Sequence, residues 1–212
     1  MTYKYGSRGS VVKQIQTALH LYPDGIFGRQ TEEAVKELQR KNRLTVDGIV
    51  GPATLLKLIP CRLKKSSRPI NKIIVHCSAT PEGKDYTVDD IRRWHTTPVN
   101  KGGHGWSDIG YHYVVYRNGD IVKGRDVDIQ GAHCADNGGN INSIGICYIG
   151  GCARDGKTPK DTRTDAQKLA LLNLLLDLKK LYPHAVILGH RDLDEHGKLC
   201  PSFDAKREYR LL

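Results

Sequence analysis

No apolar run in this 212-residue chain approaches the ~20 residues needed to cross a bilayer. The longest candidate, Leu169 to Leu181, is broken by Asn173, Asp177, Lys179 and Lys180, so stable membrane insertion is not expected. The opening residues, Met1-Thr2-Tyr3-Lys4-Tyr5-Gly6-Ser7, lack the apolar core of a secretory signal, and cytoplasmic synthesis is the expectation. Six cysteines (Cys61, Cys77, Cys134, Cys147, Cys152 and Cys200) are too few for a disulfide scaffold of this length. Reduced thiols are therefore expected, as core filler or as metal ligands. Aromatic residues are scarce at 7%, and none interleave with a basic groove of the kind that stacks nucleic-acid bases. What is present suffices for a real core: 39% of residues are hydrophobic, which excludes global disorder.

Charge is unevenly placed. The formal net charge is +10, but residues 1–66 carry 12 Lys and Arg against 5 Asp and Glu, leaving 21 against 18 for residues 67–212. A basic first segment suits a polyanionic partner, whether nucleic acid, anionic lipid or a bacterial wall polymer, and equally a plain solvated surface.

The first segment repeats itself. A shift of 23 residues aligns Val12-Lys13 with Val35-Lys36, Gln16 with Gln39 and Leu21 with Leu44. It also aligns Asp24-Gly25-Ile26, Gly28 and Thr31 with Asp47-Gly48-Ile49, Gly51 and Thr54. Each unit reads as an apolar-faced helix (Val12, Ile15, Leu19; then Val35, Leu38) running into an Asp-Gly turn, with Thr31 or Thr54 expected to N-cap the next helix. Neither unit can bury its apolar face alone, so a small all-α three-helix module is predicted over residues 1–60. The doubled Asp-Gly-Ile-x-Gly-x-x-Thr turn with its Gln-bearing helix resembles the peptidoglycan-binding module attached to wall hydrolases. That resemblance implies an anionic wall as the partner of the basic surface, and no nucleic acid. Residues 61–69, between Pro60 and Pro69, read as a linker.

From residue 70 the pattern becomes α/β. Buried strands are predicted at Lys72–His76 and Ile144–Ile149, a hairpin at Tyr111–Val122 around Asn118-Gly119, and a last strand at Ala185–His190. A capping box opens a helix at Thr87, and a long helix, apolar on one face, spans Thr164–Leu181. Alternation of strands and helices indicates a mixed central sheet flanked by helices over residues 70–212. Two strands end in histidine, His76 and His190, at the end of a sheet where ligands gather. A ten-residue excursion then brings back Cys200. Two imidazoles and one thiolate suit zinc, and three protein ligands leave the open position that a catalytic zinc needs.

The same residues carry a second resemblance. Ile-Ile-Val-His76-Cys-Ser-Ala-Thr, Trp106-Ser-Asp-Ile-Gly-Tyr111-His-Tyr, Gly-Ala-His133, Asn142-Ser-Ile-Gly-Ile, Gly-His190-Arg-Asp and Lys198-Leu-Cys200-Pro-Ser follow one another in order. In this the chain resembles zinc-dependent N-acetylmuramoyl-L-alanine amidases, in the branch shared by phage amidase-type lysozymes and peptidoglycan recognition proteins. The resemblance implies one zinc ion held by His76, His190 and Cys200, and catalytic roles for Tyr111 and Lys198. It implies substrate contacts from His133 and Asn142, with His95 and His112 as weaker candidates. His112 reads equally well as a packed histidine. Stem-peptide preference in relatives tracks residues near Gly124-Arg125, but Asp126-Val127 give no readable preference here. A monomeric endolysin of phage or prophage origin is the expected protein, made in the host cytoplasm and acting on the wall after release. A non-lytic recognition protein and a nucleic-acid-binding zinc protein are the alternatives.

Overall fold

The computed structural model describes residues 2–58, 61 and 63–212. Pro60 and Arg62, at the start of the expected linker, lie outside the described residues. The chain divides into two compact units, one formed by Met1–Leu63 with Leu175–Lys180 and Leu211–Leu212, the other by Lys64–Leu174 and Leu181–Arg210.

In the helical unit, α1 (Ser10–Ala18), α2 (Arg29–Lys41) and α3 (Pro52–Leu58) follow the repeat. Val12, Ile15, Phe27, Val35, Val50 and Leu55 are buried. The repeated residues build one hydrogen-bond network twice. In the first copy, Gln16 Nε2 donates to Asp24 Oδ1 (2.7 Å), Ile26 O (3.0 Å) and Thr31 Oγ1 (3.2 Å), while Gly25 N donates to Gln16 Oε1 (2.8 Å). Gln39 makes the same set to Asp47 Oδ1, Ile49 O and Thr54 Oγ1, and receives Gly48 N. Asp24 and Asp47 also accept from the amides of Ile26 and Ile49, and the intervening glycines sit at φ 79° and 72°, a left-handed turn that L side chains resist. Thr31 and Thr54 are therefore not N-caps, contrary to expectation. Helix α2 is capped by Gly28, which has no side chain to bond, and Thr31, its third residue, is an acceptor for the buried glutamine.

The second unit contains seven strands: β1 (Lys72–Cys77), β2 (Thr80–Pro81), β3 (Tyr113–Val115), β4 (Ile121–Lys123), β5 (Ser143–Tyr148), β6 (Gly151–Cys152) and β7 (Val186–Gly189). Five of them form one sheet of order β4-β3-β5-β1-β7, and β2 pairs with β6 beside it. β1 runs parallel to β5 and β7, β3 parallel to β5, and within the large sheet the β3–β4 hairpin is antiparallel. This is the mixed sheet the sequence implied. Ile73, Ile74, Val75, Ile144 and Ile146 are fully buried, as expected of central strands covered on both faces.

Helix α4 (Val88–Thr96) starts with the expected capping box of Thr87 and Asp90. The first hairpin strand begins at Tyr113 rather than Tyr111, because Gly110 and Tyr111 belong to a loop tied by Arg125 N to Tyr111 O (2.8 Å). Helix α5 (Asp165–Leu181) departs from the single apolar face. Leu171, Leu172, Leu174, Leu175, Leu176 and Leu178 are all buried, and consecutive residues at ~100° spacing cannot share one stripe. Helix α6 (Ala205–Glu208) follows the Cys200 loop.

Residues 66–68, read as linker, are fastened to the sheet unit. Ser66 N donates to Tyr182 Oη (2.6 Å), Ser67 N to Asp128 Oδ1 (2.6 Å), and the Arg68 guanidinium to the carbonyls of Val127, Ile129 and Ser143.

Candidate metal centre

Parallel register sets the two histidines side by side. Val75 pairs with Gly189, so the next residues along β1 and after β7 are His76 and His190, and their ring centroids lie 4.7 Å apart. His190 opens a short turn, His190–Asp192, held by Gly189 N to Asp192 Oδ2 (2.8 Å). The returning segment is stitched to it by Arg191 N to Cys200 O (2.7 Å). Ligand atoms of His76, His190 and Cys200 then fall within 4.8 Å of one another.

The donor set fits a zinc ion. Burial holds His76 and His190 well toward the neutral imidazole that a metal requires, with Lys198 adding to the effect. Nδ1 of His76 faces Cys200 Sγ at 3.8 Å, and the Cys77 amide donates to that sulfur at 3.3 Å. The neighbouring Cys77 thiol and burial nevertheless push the Cys200 thiol well up, so a bound cation would be needed to hold it as a thiolate. Buried His190 Nε2 makes no well-formed hydrogen bond. Asp136 Oδ2 lies 3.5 Å from it, at the outer edge of hydrogen-bond range, and would form an ion pair only with a protonated ring. A second group, Cys134, Asp136 and His190, shares that histidine.

Lys198 stands at the rim, half exposed. Its Nζ lies 3.2 Å from Asp194 Oδ1 and 3.3 Å from Asp136 Oδ2, and these contacts raise its pKa, so it is an ammonium at neutral pH. Asp194 Oδ2 also accepts the amides of His196 and Lys198, which shapes the loop leading to Cys200. The Tyr111 ring lies 5.2 Å from His76. Burial, with the sulfurs of Cys147, Cys200 and Cys77 nearby, pushes the phenol well above its ordinary pKa, so it is a proton donor and not a base. Its loop is clamped by Arg125, whose guanidinium donates to the carbonyls of Ile109, Gln130 and Asp108. Two of these contacts lie just before Gly110 and the third ties the loop to Gln130, so Arg125 is a support.

The residues expected to contact substrate behave differently. His133 is buried behind His76, with Nδ1 3.1 Å from His76 Nε2 and Nε2 3.2 Å from Ser143 Oγ. Gly145 and Gly131 make room for its ring: a Cβ would come within 2.3 and 2.5 Å of it. His133 is thus packed against His76 and is only 7% exposed. Asn142 immediately precedes β5, five residues along the register from Cys147 at the level of His76, or roughly 17 Å. Its carbonyl receives the amides of Asn71 and Lys72, so the structure does not bring Asn142 to the metal cluster. His95 is buried, accepts Gly110 N at 3.0 Å, and backs Tyr111 with ring centroids 5.4 Å apart. His112 is a packed histidine, accepting Gly145 N at Nδ1 (2.9 Å). All six cysteines are free, and Cys77, Cys134, Cys147 and Cys152 are buried. Sequence reasoning passed over Asp136 and Asp194, which lie in Gly- and Asn-rich or charged loops where no periodicity marks them.

Comparison with known proteins places the two units in known families. The N-acetylmuramoyl-L-alanine amidase family matches residues 66–203, and a peptidoglycan binding domain matches residues 8–58. An endolysin of Klebsiella phage KP32 is 42% identical over 137 residues, 65% of this chain and 83% of that protein. An endolysin of Escherichia phage T7 is 39% identical over 143 residues, 68% of this chain and 87% of that protein. Among solved structures, Drosophila PGRP-LB superposes with a TM-score of 0.52 at 26% identity, covering 71% of this chain and 85% of the other.

Proposed function

The chain belongs to the N-acetylmuramoyl-L-alanine amidase family, and on that footing we propose that it is a phage-type endolysin whose zinc ion is held by His76, His190 and Cys200. The bond cut is the amide between N-acetylmuramic acid and the first L-alanine of the stem peptide. The observation that carries this reading is convergence: three soft-to-borderline ligands at the C-terminal ends of β1 and β7, with Lys198 and Tyr111 beside them.

Zinc bound there supplies Lewis-acid polarisation of the scissile carbonyl and lowers the pKa of water. The chain's own residues do the rest. Lys198, kept charged by two carboxylates, carries a mobile ammonium to the oxygen on which negative charge develops. Tyr111, kept protonated beside His76, can donate but cannot act as the base. His133 takes the outward proton of His76, so that Nδ1 is left for the metal. The helical unit, with its excess of Lys and Arg, holds the enzyme on an anionic wall. Release into the wall follows synthesis in the host cytoplasm. No helix among the described residues is long and apolar enough to cross a membrane.

Digestion of purified peptidoglycan with and without chelator tests the reading. New N-terminal alanine without new reducing sugar, abolished by chelator and restored by zinc, is the expected result. New reducing ends would make the protein a glycosidase and overturn the proposal. Wall binding without any product would point instead to a recognition protein.

A further inference from the structure

One carboxylate oxygen touches both halves of this site. Asp136 Oδ2 lies 3.5 Å from His190 Nε2 and 3.3 Å from Lys198 Nζ. The residue sits in a short turn, Asp136–Gly138, between His133 and β5. That turn is fixed at both ends. Asn140 Oδ1 accepts the amides of His133 and Cys134, both at 2.8 Å, and Asn137 Nδ2 donates to Leu193 O at 2.9 Å in the segment that follows His190. Asn137 adopts a left-handed backbone (φ 47°) to reach it. The Asp136 side chain is largely buried, at 19% exposure, so its charge is not diluted by solvent.

We infer that Asp136 is a positioning residue, fixing the His190 ring through Nε2 so that Nδ1 is presented to zinc, and tethering Lys198 through the same oxygen. The inference rests on the zinc amidase reading above. The chemistry is general: a ligating histidine is held in tautomer and orientation by an anion on its other nitrogen, and that anion raises the ring's basicity. Without Asp136, His190 Nε2 would be a buried donor with no acceptor. Lys198 would keep only Asp194, and would swing about one contact instead of two. The second cluster of Cys134, Asp136 and His190 offers a competing role, in which Asp136 is itself a ligand to a second ion.

The test is zinc affinity, by competition with a chromophoric chelator, for the full chain, Asp136→Asn, Lys198→Ala and the double variant. Asp136→Asn is expected to weaken zinc binding roughly 10–100-fold at a stoichiometry of one. The same loss should appear between Lys198→Ala and the double variant, where turnover is already slowed, because the effect runs through His190. On a soluble muropeptide, kcat should fall with KM little changed. Asp136→Ser, checked for folding by circular dichroism and thermal melting, should repeat the affinity loss if the Asn variant folds poorly. Unchanged zinc affinity in a folded variant overturns the inference while leaving the amidase intact. A stoichiometry of two that drops to one in Asp136→Asn makes Asp136 a ligand and overturns it as well. A wild-type chain that neither binds zinc nor hydrolyses muropeptide overturns the underlying reading along with it.

Discussion

Nε2 of His76 lies 3.1 Å from Nδ1 of His133, on the side of the ring away from Cys200. His133 passes the interaction on to Ser143 Oγ, so one buried line of polar atoms runs from the sheet's first pleats to the metal site. Its consequence is a division of labour between the two nitrogens of His76. One is committed to the protein, and the other is free for a metal.

Replacing His133 by alanine should therefore weaken zinc binding by roughly 10–100-fold. His133→Gln, whose amide oxygen can still accept from His76 Nε2, should lose less. Chelator competition on the folded variants measures this. Wild-type affinity in His133→Ala would remove His133 from the support of the site.

Lys198→Ala should separate binding from turnover. Lys198 is not a ligand, and its ammonium is half exposed at the rim, so the variant should keep its zinc. Loss of one oxyanion stabiliser costs about 2.7–4 kcal/mol of barrier, which slows turnover roughly a hundred- to a thousand-fold. Metal content and initial rates on soluble muropeptide, taken together, decide it. A variant that hydrolyses at the wild-type rate would assign the oxyanion to another group.

The proposed metal ligands were legible because strand ends are legible. Apolar runs closing in histidine give His76 and His190, and parallel register sets them together without any long-range guess. Cys200 follows from a short loop. The supporting residues were not legible in this way. His133 and Asp136 act through contacts between segments that lie tens of residues apart, as with Asp136 and Lys198, and no spacing announces such contacts. The same limit explains Asn142, which shares a motif with the site yet lies at the far end of β5. In the helical unit the repeat announced the turn correctly, but not the use of Thr31 and Thr54. Each is the third residue inside its helix, one turn past the cap position, where the buried glutamine claims it.

His112 predicts a pH dependence of stability. Burial brings its pKa down to about 4, and the reason is visible in its contacts. Nδ1 already accepts Gly145 N, while Nε2 lies 3.0 Å from Ile129 O, so a second proton would set donor against donor. Arg68 Nη1 at 3.2 Å and Arg125 disfavour the charge further, Asp126 favours it, and the His133 ring stands 5.7 Å away. An unfolded histidine titrates near ~6.5, so between pH ~6.5 and ~4 the unfolded chain binds the extra proton. Stability is thus complete above that window and is lost as pH falls through it, by up to about 3 kcal/mol for this group. Denaturant midpoints at pH 7.5, 5.5 and 4.5 should show a smaller acid loss in His112→Gln than in the wild type. Parallel curves for the two would exclude His112 as a source.

Gln39→Glu should disconnect the two units functionally. The substitution keeps the shape of the side chain and the acceptor for Gly48 N. It replaces the amide that donates to Asp47 Oδ1 (2.8 Å), Ile49 O (2.9 Å) and Thr54 Oγ1 with an anion facing three acceptors, one of them a carboxylate. Gln39 is 1% exposed, so water cannot take over those bonds. Each buried polar group left unsatisfied costs about 1–3 kcal/mol, a large fraction of what a three-helix unit has to lose. The sheet unit carries every residue of the metal centre and none of this network. Activity on a soluble muropeptide should accordingly persist, while sedimentation with purified walls and lysis of intact walls should fall. Equal losses on both substrates would show that the helical unit is needed for the chemistry itself and not for bringing the enzyme to its wall.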